Sequence, residues 1–360
     1  MTERESERAL RDRLSRCRSI VLKIGSKSLS GEAWQRVAAE VAALRAAKKQ
    51  VTIVSSGAIA LGIQRLGLGA RPKDMAWLQA AAAAGQSTLM RRWEDAFEPE
   101  GLTAAQVLLT HADLADRTRA NNAREALLAL LSAGVVPIIN ENDAVAVDEI
   151  RFGDNDQLAS MVVPIVGADL LLLLSDVDGL LDASGQRISF VPKIGEVRAL
   201  AGGSRSGVGT GGMVSKLEAA RRASLAGAHV VIAPAKREGV VASVLAGDDV
   251  GSLFPSAARR LLARKHWIAF TLRPRGALVL DRGAVEAVQR NKSVLAVGVL
   301  GVRGSFVPGD CVQLVDPDGK EIARGLVRMS SSDAARSAGK REEARGELVH
   351  RDDLVPLGED

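Results

Sequence analysis

A glycine-rich segment at the start of a predicted helix gives the strongest sign of chemistry in the sequence. Residues 206–216 read Ser-Gly-Val-Gly-Thr-Gly-Gly-Met-Val-Ser-Lys. Closely spaced glycines let backbone N–H groups approach phosphate oxygens, and the N-terminus of the helix that follows adds a favourable field. Lys216, in the first helical turn, is placed to reach a phosphoryl group. The composition favours a phosphate-binding loop, with a mobile surface loop as the alternative.

Two better-known nucleotide motifs fit this chain less well. Gly207, Gly209 and Gly212 have the spacing of a dinucleotide fingerprint, which would indicate an NAD-dependent oxidoreductase. That motif needs a strand directly before it and an acidic residue about 20 positions later, and the sequence provides neither. Residues 25–28, Gly-Ser-Lys-Ser, match only the end of a Walker A loop, because its earlier glycine is missing.

Other chemically active side chains follow apolar runs that are predicted to be strands. Lys23 stands near the end of the first run, Ser56 follows the second, and Ser175 and Asp176 follow a run of leucines. Alone, Lys23 is more typical of a solvated strand edge. Together with Lys216 it indicates phosphoryl transfer, which depends on charge neutralisation and positioning. Asp176 fits a nucleotide or metal contact and a plain turn equally well.

Two clusters of short polar residues lie close together in the sequence. Residues 140–143 read Asn-Glu-Asn-Asp after a buried run, and residues 153–156 read Gly-Asp-Asn-Asp. Turn formation explains either cluster alone. Two such clusters within one short segment favour a polar pocket that holds a charged amino acid.

The elements that must position these residues alternate between short apolar runs and longer helical stretches. Continuous apolar runs are typical of parallel strands covered by helices on both faces, and ligands of such sheets gather beyond the carboxyl ends of the strands. The sequence therefore predicts an α/β fold, a three-layer α/β/α sandwich with a mainly parallel sheet. The predicted strands are residues 19–24, 51–54, 104–109, 135–139, 170–174 and 229–233, and the predicted helices are residues 33–49, 71–97, 121–132, 157–166 and 213–226.

The character of the chain changes after about Pro255. Residues 259–275 are basic and contain a proline, which is typical of a linker, and residues 276–355 read as short strands separated by turns. With a charged N-terminal extension at residues 1–18, the first domain spans residues 19–258. A small β-rich barrel domain is expected at the C-terminal end.

Composition excludes several classes of protein. Basic residues exceed acidic ones by five, 48 against 43, which is too small a surplus to indicate nucleic acid by itself. Cys17 and Cys311 are too far apart in the sequence to suggest a disulfide framework or a metal site. The apolar runs are too short to span a bilayer, and the charged N-terminus is unlike a secretory signal. We therefore expect a soluble, cytoplasmic protein with no membrane partner.

These motifs resemble the amino-acid kinase family, and within it the glutamate 5-kinase branch, over nearly the whole chain after about Ser19. The lysines and glycines mark the superfamily, and the pair of Asn-Glu-Asn-Asp and Gly-Asp-Asn-Asp points to glutamate. The segments that carry the resemblance are residues 23–26, 54–60, 139–145, 153–156, 173–176 and 209–216. Residues 304–312 and 322–325 resemble a PUA domain, a small module best known from RNA-modifying enzymes.

The resemblance implies a kinase that uses ATP and Mg²⁺ to phosphorylate the side-chain carboxylate of L-glutamate, the first step of proline synthesis, with proline as inhibitor. It implies catalysis by Lys23, Lys216 and Asp156, and glutamate binding by Ser56, Asp143 and Asn155. It implies ATP contacts from Lys23, Gly25, Ser175, Asp176, Thr210, Gly211, Gly212, Met213, Val214, Ser215 and Lys216, with no direct protein ligand for the metal.

The resemblance also implies partners, and it leaves alternatives. A homo-oligomer and transfer of the product to a glutamyl phosphate reductase are expected, whereas RNA binding through the PUA-like domain is left open. The alternatives are another carboxylate or carbamate kinase of the same superfamily, or an RNA-binding protein. Serine replaces the usual threonine at Ser26, Ser175 and Ser215, and the segment after Leu180 is short and lacks the family's tyrosine.

Overall fold

The chain forms two compact units, Met1–Arg260 and Leu261–Asp360. A computed structural model provides their description. It describes residues 3–145, 155–203, 212–258, 260–340 and 346–357. Within these ranges no helix combines the length and the apolar character that crossing a membrane requires.

Strands and helices alternate along the first unit. Its strands are β1 (Ser19–Ile24), β2 (Gln50–Ser55), β3 (Ala104–Leu109), β4 (Val136–Glu141), β5 (Leu170–Ser175), β6 (His229–Pro234) and β7 (Ser252–Phe254). Its helices are α1 (Glu3–Leu14), α2 (Ala33–Ala46), α3 (Ala58–Arg65), α4 (Met75–Phe97), α5 (His111–Ala115), α6 (Arg117–Ser132), α7 (Asn155–Val166), α8 (Ile194–Val197), α9 (Met213–Leu225) and α10 (Val240–Ala246).

The seven strands form one sheet in the order β3-β4-β2-β1-β5-β6-β7. All neighbouring strands are parallel except β6 and β7, which pair antiparallel. Helix α2 leads from β1 to β2 on one side, whereas α9 leads from β5 to β6 on the other. The chain therefore leaves β1 and β5 in opposite directions, and ligands of parallel sheets bind beyond the carboxyl ends of strands at such a switch point.

Each face of the sheet has its own hydrophobic core. Alternate residues of a strand point to opposite faces, so Leu22 of β1 packs into one core and Val21 into the other. The first core includes Trp93 of α4, and the second includes Val162 of α7 and Ala219 of α9. Helices thus cover both faces, and the predicted three-layer α/β/α sandwich with a mainly parallel sheet is confirmed.

The predicted strands agree closely with the structure. Those at residues 19–24 and 104–109 have the same bounds in the structure, and the other four continue one or two residues further at their carboxyl ends. In β5, for example, the pairing with β6 continues to Ser175 opposite Pro234. The ladder continues because unpaired backbone groups in a buried sheet are costly, even where the side chains become polar.

The N-terminal charged segment forms a helix that is anchored to the first unit. Leu14 is fully buried, and the Arg11 guanidinium is buried as well. That guanidinium donates to the carbonyl oxygens of Ser189 at 2.8 Å and Asp248 at 3.0 Å, and it pairs with Asp249. A buried arginine is tolerated because its donors find acceptors in this way.

The second unit is a separate β-rich fold, as predicted. Its strands are β8 (Gly276–Leu280), β9 (Val294–Leu295), β10 (Val299–Gly304), β11 (Cys311–Val315), β12 (Glu321–Val327) and β13 (Glu347–Pro356), and its helices are α11 (Ala263–His266), α12 (Arg282–Gln289) and α13 (Ser331–Ser337). The strands form a mixed sheet in the order β10-β8-β11-β12-β13-β9 around a core of its own. Residues 261–275, in the predicted linker, belong to this unit, and Arg324 donates to the Ala269 carbonyl at 2.8 Å.

Helices α3 and α4 pack closely at two glycines. A Cβ added at Gly62 would overlap the carbonyl oxygen of Ala81, and one at Gly85 would overlap the carbonyl oxygen of Ala58. Since α3 begins two residues after Ser56, this contact places the start of α3, and with it the end of β2, against α4.

We expect Gly62→Ala to lower the free energy of unfolding by about 1–3 kcal/mol, because the added methyl forces the two helices apart. The higher helix propensity of alanine offsets only about 1 kcal/mol of the steric cost. Thermal unfolding measures the change. In the control Gly69→Ala the Cβ meets no neighbour, so its effect should stay within about 0.5 kcal/mol. Equal stability of both variants would contradict the close packing.

Candidate active site

Two lysines from distant parts of the chain meet at one buried carboxylate. The Lys23 Nζ lies 2.6 Å from Oδ1 of Asp156, and the Lys216 Nζ lies 2.9 Å from Oδ2 of the same residue. Asp156 is fully buried, and both lysines are more than nine-tenths buried. The structure therefore brings together the three residues that the sequence predicted to be catalytic.

The fold explains why these side chains converge. In β1, Val21 and Lys23 point to the sheet face that α7 and α9 cover, whereas Leu22 and Ile24 point to the opposite core. Both helices connect parallel strands, so their N-termini lie at the carboxyl edge of the sheet. Asp156 and Lys216 stand in the first turns of α7 and α9. One strand and two helix starts thus meet at the switch point between β1 and β5.

Charge pairing keeps the buried carboxylate ionised. Burial by itself raises the pKa of Asp156, but the ammonium groups of Lys23 and Lys216 together outweigh that effect and hold the pKa below its ordinary value of 3.8. These three buried side chains thus place two cations and one anion in a site that excludes most water. A cluster of this kind favours an anionic ligand.

A chain of side-chain amides lies beside this charged cluster. Asn155, directly before Asp156, donates through Nδ2 to the Ser56 Oγ at 2.8 Å, to the Asn140 Oδ1 at 2.9 Å and to the Ser55 carbonyl at 3.1 Å. Accepting this bond leaves the Ser56 O–H available as a donor. The structure therefore joins Ser56 and Asn155, two of the residues predicted to bind the acceptor.

Two supporting residues on α4 were missed by the sequence analysis. The Gln86 Oε1 accepts from Nδ2 of Asn140 at 2.9 Å, and the Trp93 Nε1 donates to the Ser55 Oγ at 3.1 Å. The only signal of Gln86 is a polar side chain that interrupts the alanine-rich run of α4 on its buried side. Helical periodicity marks such a position as buried, and its partner in β4 lies 54 residues away in the sequence.

Several residues predicted to contact ATP lie along the same edge of the sheet. Ser175 ends β5 and is buried, with its Oγ 3.2 Å from Oδ1 of the exposed Asp176. Strand β5 pairs with β1, where Leu173 lies opposite Lys23, so Ser175 ends next to the site. Gly25 directly follows β1, and a Cβ there would come within 3.9 Å of the Lys23 Nζ.

The described part of the glycine-rich segment begins at Gly212, where α9 starts. Gly212 and Val214 are exposed, and Ser215 is half-buried. Met213 is half-buried and packs against the second core of the first unit. Thr210 and Gly211 lie outside the described residues.

The two polar clusters are only partly described. Asp143 follows β4 in a turn and is half-buried. Gly153 and Asp154 lie outside the described residues, so of the second cluster only Asn155 and Asp156 are placed. Among the described residues no group of three or more His, Cys, Asp or Glu side chains is arranged to hold a metal ion.

We expect Asp156→Asn to destabilise the first unit by about 3–5 kcal/mol at pH 7, because two buried ammonium groups lose their counter-charge. A depressed pKa contributes stability above its unfolded value of about 3.9 that is lost as the pH falls through the lower folded value. The difference between wild type and variant should therefore shrink below about pH 4. Chemical unfolding at several pH values measures it.

The matched control is Asp95→Asn, which removes the same charge from an exposed position on α4. Its effect should stay within about 0.5 kcal/mol at every pH. If the loss of unfolding free energy in Asp156→Asn did not change with pH below 4, the lysines would not be responsible for the depressed pKa of Asp156.

Both units match known families. Residues 18–234 match the amino acid kinase family, and residues 276–345 match the PUA domain. The chain is 46% identical to the glutamate 5-kinase of Ralstonia nicotianae, over 97% of this chain and 100% of that protein. It is 43% identical to the glutamate 5-kinase of Pelobacter propionicus, over 96% of this chain and 100% of that protein.

Solved structures agree on the fold. An N-acetylglutamate synthase from Neisseria gonorrhoeae, complexed with coenzyme A and N-acetyl-glutamate, superposes with a TM-score of 0.53 at 17% identity. The match covers 71% of this chain and 64% of that one, and at this identity it supports the fold alone. With the near-complete coverage of its curated relatives, the chain belongs to the amino acid kinase family, in its glutamate 5-kinase branch, and carries a PUA domain.

Proposed function

We propose that the protein transfers the γ-phosphoryl group of ATP to the side-chain carboxylate of L-glutamate, giving ADP and L-glutamate 5-phosphate. The observation that carries this proposal is the pair of buried ammonium groups on Asp156, at 2.6 and 2.9 Å. The names of the relatives, glutamate 5-kinases of near-equal length, support the choice of substrate.

Charge neutralisation is the main task in this reaction. An anionic carboxylate must approach a polyanionic triphosphate, and the repulsion between them opposes contact. Lys23 and Lys216 offset that repulsion where negative charge builds on the transferring group. Asp156 holds both side chains in place, so little reorganisation is needed when the charge develops.

The acceptor needs no general base. A glutamate side chain has an ordinary pKa of about 4.3, so its carboxylate is already ionised at neutral pH. One carboxylate oxygen forms a bond to the γ-phosphorus while the bond from that phosphorus to the bridging oxygen of ADP breaks. No proton is transferred, which agrees with a described site built from lysines, an aspartate and amides.

The amide cluster beside the lysines is suited to the amino acid. The Ser56 hydroxyl can donate to a carboxylate oxygen of glutamate, and Asn155 lies within hydrogen-bond distance of Ser56. Asp143, two residues beyond β4, supplies an anion for the substrate's ammonium group. This assignment places the acceptor on the β2 and β4 side of the lysines.

ATP is proposed to lie on the other side, beyond β5. Ser175, Asp176, the residues from Thr210 to Lys216 and Gly25 are the proposed contacts. The start of α9 adds a favourable field for phosphate oxygens. Mg²⁺ would arrive bound to the triphosphate and would supply further charge neutralisation there, with no direct ligand from the protein.

The reaction is the first step of proline synthesis in this proposal, and proline is its feedback inhibitor. Adding L-proline to the assay tests the regulation, which unchanged kinetics would contradict. A cytoplasmic location, a homo-oligomer and transfer of the product to a glutamyl phosphate reductase remain predictions, and RNA binding through the PUA domain remains an open alternative.

We expect Lys216→Ala to lower kcat by about 10²–10³-fold or more, because a preorganised cation is lost from the transferring phosphoryl group. Release of ADP with and without L-glutamate measures turnover, and hydroxylamine traps the acyl phosphate. The control Lys48→Ala removes a lysine that is exposed in the turn before β2, at the amino end of the sheet, and should leave kcat unchanged.

A near-normal kcat in Lys216→Ala would remove this lysine from the mechanism. Trapping of acyl phosphate with other acceptors but not with glutamate would instead favour a different carboxylate or carbamate kinase of the superfamily. The two outcomes are distinct, because the first concerns the donor side and the second the acceptor.

We expect Asp143→Ala to raise the KM for glutamate by about tenfold or more, since a hydrogen bond to a charged group is lost. The KM for ATP should change by less than about twofold, because the nucleotide lies on the other side of the lysines. Steady-state kinetics with each substrate varied in turn measures both values. Equal effects on both would contradict the placement of Asp143 in the amino-acid pocket.

A further inference from the structure

One buried amide side chain supports the acceptor pocket without belonging to it. Gln86 lies on α4, is about nine-tenths buried, and connects the pocket to the outer strand β3. Its Oε1 accepts from Nδ2 of Asn140 at 2.9 Å, and its Nε2 donates to the Gln106 Oε1 at 3.0 Å. Asn140 in turn accepts from Asn155, so Gln86 is two hydrogen bonds away from the residue proposed to bind glutamate.

Backbone groups set the direction of this chain of amides. The Glu141 backbone N–H donates to the Asn140 Oδ1 at 2.9 Å, and the Ser55 backbone carbonyl accepts from the Asn155 Nδ2 at 3.1 Å. The Glu141 N–H can only donate, so it fixes the side on which the Asn140 Oδ1 lies. The Asn140 Nδ2 must therefore face α4. There it needs an acceptor, because Asn140 is 2% exposed and a buried N–H without a partner is costly. Gln86 supplies that acceptor.

The direction of the hydrogen bonds in this chain of amides decides which atom of Asn155 remains for a ligand. Both of its N–H groups are taken by Ser55, Ser56 and Asn140. Its Oδ1 accepts no hydrogen bond from the described residues, and an amide oxygen can only accept. Asn155 therefore presents an acceptor to the pocket, which suits the ammonium group of an amino acid and not its carboxylates.

Helix α4 is well placed to hold Gln86 in position. The neighbouring Gly85 packs against the carbonyl oxygen of Ala58 at the start of α3, and Trp93, two turns further along, donates to the Ser55 Oγ. The ends of β2 and β4 and the start of α3 are thus all tied to one rigid helix. A shift of Gln86 would require α4 to move against all three.

We propose that Gln86 is a positioning residue for the amino-acid pocket: it holds Asn140, and through it Asn155, so that the Asn155 Oδ1 receives the α-ammonium group of the substrate. This inference rests on the proposed function. In this proposal Gln86 favours substrates with an α-amino group, although it does not line the pocket itself.

The test compares glutamate with glutarate, the same dicarboxylate without the amino group. In Gln86→Leu the Asn140 N–H loses its acceptor, the amide turns, and the contact of the Asn155 Oδ1 with the ammonium group is lost. We expect the KM for glutamate to rise by about tenfold or more, because a hydrogen bond to a charged group is removed. The KM for ATP and the inhibition constant of glutarate should each change by less than about twofold, since neither ligand uses the ammonium site.

Two control variants distinguish a positioning role of Gln86 from a general loss of stability. Gln106→Ala removes only the outer hydrogen bond, at an exposed residue, and should keep the wild-type KM for glutamate within about twofold. Met90→Ala weakens the packing of α4 without touching an amide, so it should lower the melting temperature and leave the preference for glutamate over glutarate unchanged.

The proposal is overturned if Gln86→Leu leaves the KM for glutamate unchanged, or if the inhibition constant of glutarate rises with it. It is also overturned if Met90→Ala reproduces the loss of preference, because the effect would then be structural. Absence of glutamate-dependent turnover in the wild type would be a separate result, which would refute the proposed function itself.

Discussion

Two buried ammonium groups share one buried carboxylate, and the rest of the first unit is arranged around that constraint. Removing three charged groups from water costs several kcal/mol each, and only close pairing offsets that cost. Asp156 meets the requirement by contacting Lys23 and Lys216 with one oxygen each.

The sheet topology makes this convergence possible. Lys23 comes from the central strand β1, while Asp156 and Lys216 come from the first turns of two helices that cover the same face. Lys23 lies more than a hundred positions before Asp156, and Lys216 lies 60 positions after it. They meet because every parallel strand ends, and every crossover helix begins, at the same edge of the sheet. The acceptor pocket forms at this edge for the same reason.

Much of this arrangement could be predicted from the sequence. Leucine and valine runs followed by polar residues marked the strands and their carboxyl ends, so Lys23, Ser56 and Ser175 could be assigned to one edge. The resemblance then supplied the link from Lys216 to Asp156, which spacing alone does not indicate.

What could not be predicted has a common physical cause. Gln86 and Trp93 act through contacts between elements that are distant in the sequence, and helical periodicity reports burial but not the partner. The charged segment at residues 1–18 read as an extension because its composition is polar. Its anchoring depends on Arg11, which donates to the backbone carbonyls of Ser189 and Asp248, and no side-chain pattern reveals such acceptors.

The most direct test of the central claim is a crystal structure with ADP, Mg²⁺, L-glutamate and an aluminium fluoride that mimics the transferring phosphoryl group. We predict that the Nζ atoms of Lys23 and Lys216 both lie within about 3 Å of fluoride atoms while still contacting Asp156. Either ammonium group pointing away from the aluminium fluoride, into a region that the other does not share, would contradict the account.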